Sequence, residues 1–166
     1  MKYLERIMTL AKPLEGVVLT PDVERFTEAR KNFGWQQEAG LALDYNGQSM
    51  ISMIETGKIS LCPRAYSLML LLGRTHDNYE LVAKKTAKNI NDFVIKPDDG
   101  LENAAYYMLK LRGGAELTQA EFAELLGASE NTIKSYENGS GHPSVRFYTV
   151  MALVFGTHPY FSLRKR

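Results

Sequence analysis

Cys62, His76 and His158 are the side chains that thiol or metal chemistry would use first. Cys62 is the only cysteine, so no intrachain disulfide framework can form, which suits a reducing cytosol. Isolated among apolar neighbours, it reads as a small buried hydrophobe and not as a catalytic thiol. His76 and His158 each follow a threonine. Zinc wants three or four ligands, and neither histidine has a partner cluster, so both read as capping or packing groups. No metal and no cofactor is expected. No glycine-rich phosphate loop follows a strand pattern, and serine, histidine and acidic residues lack triad spacing. An enzyme is not expected. The run Arg164-Lys165-Arg166 can touch phosphate nonspecifically, although a solvated, frayed end is the usual fate of such a tail.

The elements around these residues must come from 166 residues, 45% of them hydrophobic, enough to offset the entropy of ordering one domain or two small ones. A net charge of +1 does not advertise nucleic acid, yet a neutral total can hide a basic face. Residues Met1 to Gly16 carry Lys2, Glu5, Arg6 and Lys12, which excludes a secretory signal. No stretch approaches the roughly 20 apolar residues of a membrane span.

The sequence repeats itself. An ungapped offset of 82 gives fourteen identities between Leu19 and Leu81, among them Arg30/Arg112, Gln37/Gln119, Leu43/Leu125, Ile51/Ile133, Glu55/Glu137, Arg64/Arg146 and His76/His158. Between the copies, Asp77 to Phe93 can continue as a polar helix, and Lys96-Pro97-Asp98-Asp99-Gly100 reads as a turn. The expected organisation is an N-terminal, helical extension over 1–18, one bundle over 19–82, a helical linker and turn over 83–100, and a second bundle over 101–166. No strand is expected, and the fold class is all-α.

In the second copy, Leu101, Ala104, Ala105, Met108 and Leu111 share a helical face, stopped by Gly113-Gly114. Thr118 and Glu121 form a capping box for a helix ending at Gly127. Ser129 caps a further helix to Asn138, and Gly139 is its left-handed stop. Pro143 suits the first position of a last helix. Two short helices about a glycine turn make a helix-turn-helix, whose second helix enters the major groove.

Leu117-Thr118-Gln119, Glu121, Ala123, Leu126-Gly127, Ser129, Thr132-Ile133, Tyr136-Glu137-Asn138-Gly139 and Pro143-Ser144 together resemble the lambda-repressor-like (XRE-type) helix-turn-helix family. The resemblance covers about 60 residues of the second copy and implies two lambda-repressor-like helical bundles in tandem. It implies DNA contacts from Thr118, Gln119, Glu130, Asn131, Lys134, Ser135 and Asn138. Gln119 and Asn138 would hold phosphates, while Glu130, Asn131, Lys134 and Ser135 would face the bases. Asparagine can pair twice with adenine and lysine can donate to guanine. Glu130 departs from the basic or amide residues suited to that place; it can accept from cytosine, but equally it can simply favour the helix dipole. The resemblance also implies ion pairs behind the recognition helix, Arg112 with Glu137 and Arg30 with Glu55.

In the first copy, Thr20-Pro21-Asp22 starts a helix, Trp35-Gln36-Gln37 opens the next, and Gly57 ends the third. Where the second copy has Phe122, Ala123, Leu126 and Gly127, this one has Gly40, Leu41, Asp44 and Tyr45. A bulkier crossing residue and a turn without glycine predict different packing. Gln37, Gln48, Ser49 and Ser52 are the candidates for a second DNA surface, although Gln48 to Thr56 holds no basic residue; Met50 and Met53 could pack on a partner chain instead.

Two functions follow, from different classes. One is a cytoplasmic, sequence-specific transcriptional regulator of phage-repressor or antitoxin type, binding double-stranded DNA as a homodimer or as a pseudo-symmetric tandem. The other is a protein-interaction module that keeps the fold without operator binding.

Overall fold

Caps and glycines punctuate the chain into short helices. The computed structural model describes residues 14–84, 92–95 and 101–166, with side chains from residue 104 onward in the last span. Asp22 accepts from Arg25 N at 3.1 Å and opens α1 (Val23–Phe33). α2 (Gln36–Ala42), α3 (Gln48–Glu55) and α4 (Pro63–Leu72) follow. Cys62 is half-buried and caps α4 through its sulfur, 3.3 Å from Ala65 N, so it is more than a packed hydrophobe. β1 (Tyr79–Ala83) completes the first half. The second half comprises α5 (Leu101–Gly114), α6 (Gln119–Leu125), α7 (Glu130–Glu137), α8 (Val145–Val154) and β2 (Phe161–Lys165). α3, α4 and β1 begin at 48, 63 and 79; α7, α8 and β2 begin at 130, 145 and 161.

α4 is buried from Ala65 to Leu72 and α8 from Phe147 to Val154. These two helices pack against each other, and one apolar core runs through both halves. Burying such continuous apolar runs is the main driving force for the fold.

The fold is mostly helical but not all-α, because β1 pairs antiparallel with β2. Residues 79–83 are therefore strand where a polar helix was expected. Tyr79 and Phe161 are buried, and Leu81 and Leu163 pack on the core. A five-residue strand whose partner lies 82 positions away leaves little local trace. Arg164 and Lys165 belong to β2, and Arg166 donates to Asn78 O at 2.9 Å, so the basic tail is tied down and not frayed. Residues 14–18 form a turn, not a helix; the rest of the expected N-terminal helix, most of the linker and the turn at 96–100 lie outside the described residues. Gly113 and Gly114 sit inside α5, and Glu116 (φ 57°) makes the reversal instead. Pro143 precedes α8, whose cap is Ser144, and Pro21 likewise precedes the cap of α1.

The two histidines hold short segments against each half. His76 Nδ1 accepts from the N–H groups of Asn78 and Tyr79 at 3.2 Å. The proton therefore sits on Nε2, which donates to Val17 O at 2.7 Å. His158 does the same, accepting from Tyr160 and Phe161 at 3.1 Å and donating to Phe93 O at 2.8 Å. Beside them, Leu19 N donates to Ser67 Oγ and Ile95 N to Thr149 Oγ1. Both rings are buried, and burial pushes their pKa below the ordinary value of 6.5.

The unfolded chain takes up protons near pH 6.5 that the folded chain refuses. Stability is thus complete above about pH 6.5 and declines as pH falls below it. Thermal melts between pH 7.5 and 5.5 should show that decline. His76→Gln with His158→Gln should lower the melting temperature at pH 7.5 and flatten the decline; an unchanged slope contradicts the assignment.

Candidate nucleic-acid interface

In a helix-turn-helix the second helix lies in the major groove and offers its N-terminal side chains to base edges. Thr118 opens α6 with a reciprocal box: its Oγ1 accepts from Glu121 N at 3.2 Å, and Glu121 Oε2 accepts from Thr118 N at 2.7 Å. That backbone hydrogen bond holds the Glu121 carboxyl below its usual pKa. Gly127 turns the chain at φ 64°, a left-handed conformation that favours glycine, and Ser129 caps α7 by accepting from Thr132 N. Ile133 is buried and seats α7 on the core.

Glu137 organises the inner side of α7. Arg112 Nε lies 2.6 Å from Glu137 Oε1, and its Nη2 lies 3.3 Å from Oε2. Gln119 Nε2 donates to the same Oε2 at 2.7 Å, and Arg112 Nη1 donates to Leu117 O at 3.0 Å. The Glu137 side chain is only 5% exposed. One N–H of the Gln119 amide is thus committed inward, leaving its second N–H for an outside acceptor.

On the outer side, Glu130, Asn131, Lys134 and Asn138 are exposed, as is Thr118, and Ser135 is half-buried. Lys134 Nζ lies 3.1 Å from Glu130 Oε1, a half-exposed pair. Asn138 Oδ1 accepts from Ser140 N at 2.9 Å and from Ser140 Oγ at 2.6 Å, so its NH2 is the donor end. Ser135 Oγ lies 3.2 Å from Ser140 Oγ.

The first half repeats the inner lock. Arg30 Nε lies 2.6 Å from Glu55 Oε1, Arg30 Nη2 3.1 Å from Oε2, and Gln36 Nε2 donates to Oε2 at 2.8 Å. The counterpart of Gln119 is therefore Gln36, not Gln37. α2 begins 83 positions before α6, while α3 begins 82 before α7. One residue fewer precedes α2 and one more follows it, two gaps that an ungapped alignment hides. Glu38 Oε2 accepting from Trp35 N matches Glu121 accepting from Thr118 N, and the glutamate three positions on was the available signal.

This register also overturns the expected difference in packing. Ala39, Gly40, Leu43 and Asp44 stand where Phe122, Ala123, Leu126 and Gly127 stand. Tyr45 N donates to Gly40 O at 2.8 Å as Ala128 N does to Ala123 O at 2.9 Å. Asp44 adopts φ 56° at the place of Gly127. The crossing is tight, because a Cβ on Gly40 would come within 2.7 Å of Gly47 O. Gln37, Gln48 and Ser49 are exposed and Ser52 half-buried; Gln37 and Gln48 line a shallow depression with Trp35. Met50 and Met53 are half-buried.

Residues 108–161 match the helix-turn-helix family model. The match takes in α6, α7 and α8 and covers about a third of the chain. Neither the curated proteins nor the solved structures gave a match. Among the described residues no helix is long and apolar enough to cross a membrane, and no three His, Cys, Asp or Glu side chains gather as a metal group.

Glu137→Ala strands a largely buried arginine and removes the acceptor of Gln119. It should cost roughly 3–5 kcal/mol in thermal or urea unfolding. Glu130→Ala, which breaks only the exposed pair with Lys134, should cost at most about 1 kcal/mol. Equal losses in the two variants would contradict the lock.

Proposed function

We propose that the chain is a sequence-specific, double-stranded DNA-binding transcriptional regulator of phage-repressor or antitoxin type, reading the major groove through α7. The observation that carries this is the helix-turn-helix match over α6 to α8, on a helix whose inner side is locked and whose outer side is open. Thr118, Gln119 and Asn138 hold the backbone. Asn131 and Lys134 read base edges with Ser135, and Glu130 restrains Lys134 until a phosphate or guanine competes for it. The chain is a tandem of two lambda-repressor-like bundles, over 19–82 and 101–166, with a degenerate first copy; it works in the cytoplasm. The matching element bounds and the two arginine–glutamate–glutamine locks support the duplication.

A second reading is favoured by one feature. Trp35 is 78% exposed and Leu41 60% exposed, both on the first half. A module that binds a protein there, and no operator, would use such a surface.

Selection of sites from a random duplex pool, followed by gel retardation, decides between the two. Retardation should weaken steeply with salt, because phosphate contacts release counterions. Lys134→Ala and Asn131→Ala should each cost roughly 1–3 kcal/mol on the selected site. Absence of retardation of any duplex at low salt would defeat the regulator reading.

A further inference from the structure

We propose that one chain acts as its own dimer, presenting α3 and α7 together to two adjacent, unlike half-sites of a single duplex. This rests on DNA reading by α7 and extends it to the first half. The contacts joining the halves exchange under a two-fold rotation. In the ribbon, Leu81 faces Leu163, Tyr79 faces Lys165 and Ala83 faces Phe161, a register unchanged when the halves are swapped. Arg64 Nη1, at the start of α4, donates to Leu126 O at 3.2 Å and Gly127 O at 2.6 Å, in the turn of the second half. Arg146 Nη1, at the start of α8, donates to Leu43 O at 3.0 Å and Asp44 O at 3.1 Å, in the turn of the first. Each acceptor pair occupies the same place in its own half.

These crossings locate the reading heads. The Arg64 guanidinium lies over the Phe147 ring at 5.5 Å, so the starts of α4 and α8 meet. Arg146 lies over Tyr45 at 4.2 Å. Both helix-turn-helix turns are therefore drawn to the same end of the α4–α8 seam, and α3 and α7 begin within a few residues of those turns. Self-complementary contacts of this kind are closed once made, so they leave no equivalent surface for a second chain. Two recognition helices related by a two-fold address groove segments about one helical turn apart on one face of DNA.

The half-sites must differ because the helices do. α7 offers Glu130, Asn131, Lys134 and Ser135, whereas α3 offers Gln48, Ser49 and Ser52. Glutamine can read adenine and serine can reach either partner. Trp35 stands where Thr118 stands, at the backbone-facing start of the helix before α3, so the duplex would cover its exposed ring.

Trp35 is the only tryptophan, and its fluorescence reports on the first half alone. The test titrates the full chain with its selected duplex, following acrylamide quenching of Trp35, anisotropy of the labelled duplex, and stoichiometry by native mass spectrometry. One chain per duplex is expected, with Trp35 protected in step with anisotropy. Gln48→Ala with Ser49→Ala, both exposed positions, should weaken binding about tenfold or more and relax base preference in one half-site only. Binding with Trp35 unprotected, or with two chains per duplex, overturns this inference and leaves the regulator reading standing. No anisotropy change with any duplex overturns both.

Discussion

A buried carboxylate behind each of α3 and α7 sets the conditions for the rest of the structure. Glu55 and Glu137 are 10% and 5% exposed, and a charge that deep must be matched by nearby donors. Arginine from the first helix and glutamine from the second supply them, fork to carboxylate and amide to carboxylate. Three helices are thereby fixed through one anion. The arrangement consumes the inner side of α3 and α7, and what remains outward is the surface free to meet a ligand.

A second constraint acts between the halves. Arg64 and Arg146 each cross the seam to a pair of backbone carbonyls that a helix end leaves unpaired. Carbonyls at the end of a helix welcome a cation, so each arginine satisfies the other half's turn. The ribbon and the α4–α8 contact complete the same symmetric seam. The orientation of α3 relative to α7 is then a property of the folded chain, not of its concentration, as it would be for separate subunits.

Much of this was legible in the residues. The capping box at Thr118, Gly127 as a helix end and Gly139 as a left-handed stop mark the helices directly, while Arg30/Glu55 and Arg112/Glu137 recur in both copies and the family resemblance implied that they pair. The pairing of Gln36 with Glu55 was masked, because two compensating one-residue shifts let Gln37 align with Gln119 by identity, and only Glu38, three positions after Trp35, carried the true register. The ribbon was not legible either: Tyr79 to Ala83 gains strand structure only from Phe161 to Lys165, far along the chain. The same holds for the histidines, which read as capping or packing groups in the sequence but gave no sign that each holds a strap through Val17 or Phe93. Local signals specify caps and turns; contacts across 60 or more positions come from packing.

Joint reading of a duplex by α3 and α7 is tested most directly by a map of backbone amide shifts in labelled protein titrated with its selected duplex. The largest changes are expected in the first two turns of α7, at Asn131 and Lys134, and the first turn of α3, at Gln48 and Ser49, with little change in the β1–β2 ribbon. Changes confined to the ribbon, or to the outer face of α5 around Tyr106 and Leu109, would contradict it.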